Sequence, residues 1–170
     1  APFANKCRAQ LVRDMGAIMS PQNAFISFLG CDTLALRMER HSSNAAKVAK
    51  FLSESDKIDW VLHPSLENNK YHALARKYLP DGQGGMLSFG VKGNVKDAAK
   101  FMEALRLVTQ ETHVADTRSC VLHPASTTHR QLSKEELAAA GVPENLIRLS
   151  VGIENPDDII EDLKQALQKI

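Results

Sequence analysis

Apolar residues in the first part of the chain recur three and four positions apart, which is the spacing of one helical face. Leu11 and Met15 have this spacing before Gly16, and Ser20-Pro21 combines a capping serine with a proline at the first helical position. We therefore predict that residues 1–55 are built of helices.

A long third helix is predicted after Asp32, whose carboxylate is suited to capping its first amides. Charged residues lie between the apolar ones, as in a helix with one buried face. The apolar positions are Leu34, Leu36, Met38, Ala45, Val48, Ala49 and Leu52. We interpret these first helices as ordinary packing helices.

From Lys57 onward, short extended runs alternate with helical ones, which is typical of a small layered α/β domain. The predicted strands include residues 58–62, 86–91 and 120–122. Helices are predicted over residues 71–79, after the capping residue Asn94, and after Ser133, which has the spacing of a capping box with Glu136. The fold class is therefore α/β, in its α+β form.

The last two predicted elements are a strand over residues 146–153 and a helix that Asn155 caps. Side chains alternate between the two faces of a strand, so Ile147 and Leu149 point one way and Arg148 points the other. We expect the final helix to cover the aliphatic face and to leave Arg148 uncovered.

Composition narrows the class of protein. The chain has 170 residues, of which 44% are hydrophobic and 24% charged, enough for one buried core. Its 21 basic and 20 acidic residues give a net charge of +1, so we expect no nucleic acid and no membrane as partners. No apolar stretch approaches the roughly 20 residues that a membrane span requires.

The cysteines favour a reducing compartment. Cys7, Cys31 and Cys120 are odd in number, far apart and without a Cys-x-x-Cys pair. The first residues also lack the charged and then apolar layout of a secretory signal. We therefore expect a cytoplasmic protein.

Arg148 is the residue with the clearest chemical potential. A guanidinium on the uncovered face of an interior strand, next to Ser150 and Gly152, would be held rigidly and would be accessible. Its planar fork matches a carboxylate in two charge-assisted hydrogen bonds. The alternative is an arginine that merely pairs with a neighbouring acid such as Glu154.

Residues 123–129 are polar and interrupted by Pro124, so they are predicted to form a loop at the end of a strand, where α/β proteins often place their sites. One hypothesis is a catalytic pair of Ser126 and His129, and the other is a set of hydrogen-bonded loop residues. Histidines elsewhere show no recognisable ligand spacing, so no metal site is predicted. They are His41, His63, His72 and His113.

Four motifs, read in order, resemble a known enzyme family. They are Arg37-Met38-Glu39-Arg40-His41-Ser42-x-Asn44-Ala45, Lys77-Tyr78-Leu79-Pro80, His123-Pro124-Ala125-Ser126-Thr127-Thr128-His129 and Arg148-Leu149-Ser150-Val151-Gly152-Ile153-Glu154. Together they are similar to the C-terminal portion of the Cys/Met-metabolism enzymes that use pyridoxal phosphate. Ser126-Thr127-Thr128-His129 is most similar to the O-acetylhomoserine sulfhydrylase branch.

This resemblance implies a fold-type-I enzyme in which a separate large domain holds the cofactor. Residues 1–55 would be a helical linker from that domain, and residues 56–170 would be a small domain with a mostly antiparallel sheet covered by helices. Arg148 would bind the α-carboxylate of an amino-acid substrate, with His113 and Thr128 as further substrate contacts. The full-length enzyme would be a homo-oligomer, as the family is usually a homotetramer.

The family's cofactor lysine follows Ser-x-Thr, and no lysine of this chain follows a threonine. The resemblance therefore implies an inactive C-terminal fragment, with pyridoxal phosphate bound by an upstream domain. The full enzyme would replace the acetate of O-acetyl-L-homoserine by sulfide or methanethiol, which gives homocysteine or methionine. The alternatives are a cystathionine γ-synthase or γ-lyase fragment, and a non-catalytic module that binds an amino acid or supports assembly.

Overall fold

The computed structural model describes residues 2–170, and the chain divides into two compact units, of which the first ends at Ala35 and the second is Leu36–Ile170. The predicted domain boundary near residue 55 remains a prediction. The division falls earlier along the chain because the helix of residues 34–53 buries side chains from His41 to Leu52 in the second unit.

The first unit is helical. Its elements are α1 (Pro2–Lys6), a π-helical segment (Cys7–Val12), α2 (Arg13–Met15) and α3 (Pro21–Asp32). Gly16 ends α2 with a left-handed φ of 67°, which glycine adopts without steric cost. The Ser20 hydroxyl accepts a hydrogen bond from the Asn23 amide, as predicted for the start of α3.

The prediction that Asp32 caps the next helix is wrong. Asp32 is the last residue of α3, and α4 (Leu34–Ser53) begins after the single residue Thr33. The apolar pattern indicated two helices correctly, but it could not show that one residue is enough to separate them.

The second unit alternates strands and helices. After α4 come β1 (Ile58–Leu62), α5 (His72–Tyr78), β2 (Met86–Val91), α6 (Val95–Ala104), β3 (Thr109–Gln110), β4 (Cys120–Leu122), a 3-10 turn (Pro124–Ser126), α7 (Lys134–Ala139), β5 (Leu146–Ser150) and α8 (Pro156–Leu167). None of the helices within residues 2–170 combines the length and apolar content that crossing a bilayer requires.

The five strands form one sheet in the order β1-β2-β5-β4-β3. The pairs β1-β2, β2-β5 and β4-β5 are antiparallel, and β3 runs parallel to β4. The prediction of a small, mostly antiparallel sheet is confirmed. Because β5 is the central strand, its side chains are fixed by neighbours on both sides.

The predicted last strand is shorter than expected. β5 ends at Ser150, and the Val151 amide donates to the Gly85 carbonyl. The next two amides leave the sheet, since Gly152 donates to the Ser119 hydroxyl and Ile153 donates to the Thr117 carbonyl. The chain therefore turns away from the ladder immediately after the segment that carries Arg148.

One face of the sheet forms the core with α4, α6 and α8. Phe89 lies edge-on to Phe101 of α6, with 5.8 Å between ring centroids. The strands contribute Ile58, Leu87, Phe89, Val91, Val121, Ile147 and Leu149, and the helices contribute Ala45, Val48, Ala49, Leu52, Ala98, Phe101, Met102, Ile159, Leu163, Ala166 and Leu167. This covered face excludes water and fixes the strands.

The helix ends follow the sequence rules. Asn94 and Ser133 each form a capping box, with Asp97 and Glu136 respectively, and the Asn155 side chain accepts a hydrogen bond from the Asp157 amide. An unpredicted anchor is Asp162 of α8, which is buried and whose carboxylate accepts hydrogen bonds from the backbone amides of residues 106–108. It fixes the segment between α6 and β3.

Candidate functional site

Arg148 lies at the middle of the central strand, on the face that the helices do not cover. It pairs with Ser88 of β2 and Leu122 of β4. Its neighbours Ile147 and Leu149 are completely buried in the core, whereas Arg148 is half-buried. The alternation of burial predicted from the sequence therefore holds over Leu146–Leu149, whereas Ser150, on the same face as Arg148, is buried together with Cys120 and Leu122 of β4.

We call this second face of the sheet the open face, defined by Leu62, Met86, Ser88 and Arg148. The side chains of these four residues reach solvent. The Arg148 Nη2 donates a hydrogen bond of 3.0 Å to the Thr112 carbonyl, which uses one of the five N–H donors of the guanidinium. Within residues 2–170, no carboxylate forms an ion pair with Arg148.

The alternative that Arg148 merely pairs with Glu154 is contradicted by the position of that acid. The Glu154 carboxylate accepts hydrogen bonds from the Ser119 amide at 2.6 Å and from the Ser119 hydroxyl at 2.9 Å. The Arg148 guanidinium is thus held by a backbone carbonyl and has no carboxylate partner within residues 2–170. Its positive charge is therefore available to an external anion. The arrangement is chemically suited to binding a carboxylate in the two-point manner of arginine.

The loop that contacts Arg148 also carries His113. The His113 Nδ1 lies 3.0 Å from the Glu111 carboxylate and 3.2 Å from the Asp116 carboxylate. The pKa of Asp116 is held below its ordinary value, chiefly by the hydrogen bond from the Arg118 amide, and the bond to His113 adds to this effect. The His113 side chain therefore contacts two acidic residues of its own loop, next to the Thr112 carbonyl that contacts Arg148.

Glu111, His113 and Asp116 are also a possible set of metal ligands, because one ligand atom from each lies within 4.8 Å of the others. The contacts of the His113 ring with the two carboxylates already account for this approach, and the His113 side chain is 58% exposed. We assign no metal to them.

Two further contacts tie the loop to the open face. The Ala115 amide donates to the Ser150 hydroxyl at 3.0 Å, and Ala115 has a φ of 60°, a left-handed conformation that costs a non-glycine residue about 1 kcal/mol. The Cys120 thiol donates to the His113 carbonyl, and burial, followed by the charge of Glu111, raises the pKa of that thiol. The loop is thus strained at Ala115, and the hydrogen bonds to Ser150 and from Cys120 hold it in place.

The loop after β4 does not contain the catalytic pair considered from the sequence. Ser126 lies 2.8 Å from the Nδ1 of His123, and His129 lies 2.9 Å from the hydroxyl of Thr128. The Nε2 of His123 faces the Glu144 carbonyl, so this nitrogen carries the proton and Nδ1 accepts from Ser126. These are the hydrogen-bonded loop residues of the alternative hypothesis.

The structure brings two of the three predicted substrate-contact residues to one place. His113 and Arg148 are joined through the Thr112 carbonyl, whereas Thr128 is exposed in the loop after β4. No hydrogen bond or ion pair described for residues 2–170 joins Thr128 to Arg148 or His113. The roles of these residues in binding substrate remain predictions.

The remaining histidines have structural partners. The Nδ1 of His41 contacts the Val151 carbonyl, that of His63 contacts the Ser65 hydroxyl, and that of His72 contacts the Pro64 carbonyl. Sequence reasoning missed Asn44 and Ser119, both of which are buried and bind the segment after β5. In the sequence, Asn44 is a polar residue within an otherwise apolar helical stripe, and Ser119 is a polar residue directly before an apolar strand.

A lysine that carries pyridoxal phosphate as an imine is enclosed and desolvated, since this lowers the pKa of its amine. Every lysine within residues 2–170 is instead exposed to solvent. The described residues therefore do not fit the covalent attachment of this cofactor.

Three comparisons with known proteins agree on the family to which this chain is similar. The sequence profile of a family described as Cys/Met metabolism PLP-dependent enzyme matches residues 3–168. The O-acetyl-L-homoserine sulfhydrylase of Leptospira meyeri is 47% identical over 169 residues, which is 99% of this chain and 38% of the relative. The homocysteine synthase of Schizosaccharomyces pombe is 47% identical over 166 residues, 98% of this chain and 39% of the relative.

A relative with a different activity is the L-methionine gamma-lyase of Fusobacterium nucleatum subsp. polymorphum, which is 42% identical over 99% of this chain and 42% of its own length. A crystal structure of a Campylobacter jejuni protein assigned as an O-acetylhomoserine (thiol)-lyase superposes with a TM-score of 0.91 and 43% identity, over 98% of this chain and 40% of that one. It contains a pyridoxyl-lysine phosphate residue. The chain thus spans about two fifths of the length of these proteins.

Proposed function

Because the chain belongs to the Cys/Met metabolism family of pyridoxal-phosphate-dependent enzymes, we propose that it is the C-terminal part of an O-acetyl-L-homoserine sulfhydrylase. The whole enzyme would replace the acetate group of O-acetyl-L-homoserine by sulfide or methanethiol. Support comes from the relatives named for this activity and for homocysteine synthesis, which match the chain from end to end at 47% identity.

The contribution of this chain to the reaction is to bind the substrate. The observation that carries this proposal is the Arg148 guanidinium, which lies on the open face of the central strand and has no carboxylate partner within residues 2–170. It would bind the α-carboxylate of the amino acid and orient the carbon chain. His113, in the adjoining loop, and Thr128 are proposed as additional substrate contacts.

The chemistry of bond breaking is assigned to another part of the full-length protein. Pyridoxal phosphate, when bound there, supplies the electron sink that the γ-replacement reaction needs. The exposed lysines of this chain are unsuited to holding it, so we propose that the isolated chain is inactive. Borohydride treatment of the chain with pyridoxal phosphate is expected to label its lysines only at the level of a denatured control. A single stoichiometric adduct, together with sulfhydrylase activity, would contradict this proposal.

The role of Arg148 is tested in the full-length enzyme with Arg148→Lys and with Arg76→Lys as a matched control on the exposed surface of α5. Loss of the two-point contact is expected to raise the KM for O-acetyl-L-homoserine by about tenfold to a hundredfold, with the KM for sulfide unchanged. The control is expected to leave both constants unchanged. An unchanged KM for the amino acid in Arg148→Lys would refute the carboxylate role.

A second candidate function is a γ-lyase, favoured by the relative of that name. A cystathionine γ-synthase is a third possibility, since it would use the same amino-acid carboxylate. Assays of the full-length enzyme with sulfide, methanethiol, cysteine and no acceptor separate these activities. Homocysteine formed with sulfide at a rate well above 2-oxobutanoate release supports the sulfhydrylase, and the reverse ratio supports the lyase.

We further propose that the full-length enzyme is a cytoplasmic homotetramer. The three cysteines of this chain form no disulfide within residues 2–170, which suits a reducing compartment. Many apolar side chains of the first unit are exposed, including Phe3, Met15, Ile18, Phe25 and Phe28. Sedimentation of the full-length enzyme is expected to give the mass of four chains, and the mass of one chain would contradict the proposal.

A further inference from the structure

We propose that Glu154 is a positioning residue for Arg148, acting through Ser119 and the loop of residues 111–119. This inference rests on the proposed function of Arg148 as the carboxylate-binding residue. Glu154 does not contact the guanidinium, and its effect on substrate binding would be transmitted entirely through the backbone that faces Arg148.

The first contact of this path is the hydrogen bond from Arg148 to the Thr112 carbonyl at 3.0 Å. An arginine side chain has several rotatable bonds, so its guanidinium has a defined direction only where a fixed partner holds it. Thr112 itself is exposed, and its carbonyl can hold the guanidinium only if the rest of the loop is fixed. The orientation of Arg148 thus depends on what anchors residues 111–119. The Glu111 amide holds one end on the Val121 carbonyl, the Ala115 amide holds the middle on the Ser150 hydroxyl, and Ser119 is the other end.

The second step is the anchoring of that loop. Its last residue, Ser119, is completely buried, and its amide and hydroxyl both donate to the Glu154 carboxylate. The Ser119 hydroxyl in turn accepts a hydrogen bond from the Gly152 amide at 2.8 Å. One carboxylate therefore joins the end of the loop to the segment that follows the strand carrying Arg148.

The third step is the close approach of the two segments at Gly152. A Cβ atom on this residue would overlap the Glu154 carboxylate and the backbone of Thr117 and Arg118. The Ile153 amide also donates to the Thr117 carbonyl at 2.9 Å. Glu154 can thus reach Ser119 because the chain has no side chain at Gly152.

The backbone of Glu154 is fixed by helix α4. The Asn44 side-chain amide donates to the carbonyls of Gly152 and Glu154 at 3.0 and 2.9 Å, and the His41 ring contacts the Val151 carbonyl at 2.6 Å. Both side chains are 1% exposed. The segment that carries the Glu154 carboxylate is therefore anchored to buried residues of α4. Through Glu154, the loop of residues 111–119 is fixed to this helix.

Removing the negative charge of Glu154 weakens this junction more than a neutral hydrogen bond would. Bonds to an ionised carboxylate are roughly twice as strong as neutral ones, and the buried Ser119 amide would lose its acceptor if the side-chain oxygen turned away. In Glu154→Gln an NH2 group replaces one carboxylate oxygen, so one acceptor oxygen remains where the amide and the hydroxyl of Ser119 each had their own. The loop would loosen, and Arg148 would lose its fixed direction.

The test is a double-mutant cycle in the full-length enzyme with Glu154→Gln, Arg148→Lys and the combined variant. Glu161→Gln is the matched control, because Glu161 is exposed on α8 and pairs only with Lys164 among the contacts described for residues 2–170. We expect Glu154→Gln to raise the KM for O-acetyl-L-homoserine about tenfold, with kcat retained within about twofold. In the Arg148→Lys background, the same change is expected to have less than about a twofold effect on KM.

A merely structural role for Glu154 would give effects that multiply in the combined variant, and this result, or a KM equal to that of the control, would overturn the inference. If Arg148→Lys itself leaves the KM unchanged, the proposed role of Arg148 fails, and the positioning inference fails with it. An effect of Arg148→Lys without coupling to Glu154 leaves the proposed function in place and refutes the positioning inference alone.

Hydrogen–deuterium exchange on the full-length enzyme provides a second measurement that does not depend on catalysis. Glu154→Gln is expected to speed exchange of the amides of residues 111–119 about tenfold, whereas Glu161→Gln is expected to leave them unchanged. Should Glu154→Gln fail to fold, Ser119→Ala removes the hydroxyl and keeps the amide, with an expected effect on KM of about threefold. Unchanged exchange in a folded variant would refute the anchoring step.

Discussion

The two faces of the sheet are built by different kinds of interaction. The covered face carries Phe89, Ile147 and Leu149, which are completely buried against α4, α6 and α8. The open face carries Ser88 and Arg148 at alternate positions of the same strands, with solvent access and contacts to a loop. Neighbouring residues of one strand thus differ in their surroundings: Ile147 and Leu149 pack in the core, and Arg148, between them, presents the charged group that we propose for binding.

Because of this difference, we expect that truncating a side chain on the covered face costs more stability than truncating its neighbour on the open face. Side chains on the covered face lose their van der Waals contacts and leave a cavity when they are shortened. Those on the open face change the chemistry of the surface and leave the core intact.

The largest difference is expected between Phe89→Ala and Ser88→Ala, adjacent residues of β2. Phe89 contacts Phe101 in the core, and its truncation is expected to lower the free energy of unfolding by about 3–5 kcal/mol. Ser88→Ala is expected to change it by less than about 0.5 kcal/mol. Urea denaturation of the 170-residue chain checks both values. Equal losses would show that the open face is packed as closely as the covered one.

A smaller effect is expected for Asn44→Ala, a polar residue that α4 contributes to the buried layer. This change leaves the carbonyls of Gly152 and Glu154 without the donor that the Asn44 side chain supplies. We expect a loss of about 2–3 kcal/mol in the free energy of unfolding, again from urea denaturation. Ser43→Ala is the control, since its hydroxyl is exposed and donates only to the Arg40 carbonyl among the contacts described for residues 2–170. A loss no larger than that of the control would mean that the network is not energetically important.

The pH dependence of stability tests a buried histidine outside the open face. Burial lowers the pKa of His63 from its ordinary value of 6.5, and the contact with the Gly84 carbonyl partly offsets this effect. The native state therefore keeps this ring neutral at a pH at which the unfolded chain has bound a proton. Because the unfolded state then binds more protons, the stability contribution is full above the unfolded pKa of 6.5 and is lost as the pH falls below it.

We expect the free energy of unfolding to decrease between about pH 7 and about pH 5, and to decrease less in His63→Gln. Urea denaturation of both proteins across this range measures the difference. Identical pH dependence in the two proteins would show that His63 is not the group responsible.

The smallest effect is expected at Ala115, which is strained in the loop facing Arg148. Its φ of 60° is easily adopted by glycine, but glycine also gains freedom in the unfolded chain. These effects oppose each other, so Ala115→Gly is expected to change the free energy of unfolding by less than about 0.5 kcal/mol. Ala115→Val is expected to destabilise by about 1–2 kcal/mol, because a branched side chain resists this conformation. A stabilising Ala115→Val would contradict the assigned backbone.

Local signals in the sequence were enough for most of the fold. The alternation of Ile147, Arg148 and Leu149 predicted which face each side chain would take, and the capping box of Ser133 and Glu136 predicted the start of a helix. These features depend on residues a few positions apart. Strand β3 was missed because it has two polar residues and is defined by its parallel pairing with β4.

Of the candidate site, the sequence predicted Arg148 and, through the family resemblance, His113, but not the contact that joins them. Arg148 is marked by its strand pattern and by the family resemblance, but its partner Thr112 lies 36 positions earlier in the chain. The bond between Glu154 and Ser119 spans 35 positions, and from the sequence Glu154 was considered only as a local partner of Arg148 in the alternative interpretation. Contacts of this length depend on how the loop folds against the sheet, which no local pattern records.

The most direct test of the central claim compares two ligands in the full-length enzyme, an amino-acid substrate analogue and its carboxamide. Both are titrated while the absorbance of the bound cofactor is recorded, with the unaltered enzyme and with Arg148→Ala. If Arg148 binds the carboxylate, the unaltered enzyme is expected to prefer the acid by about a hundredfold, and Arg148→Ala is expected to reduce this preference to about threefold or less. A preference that stays the same after the arginine is removed would contradict the account.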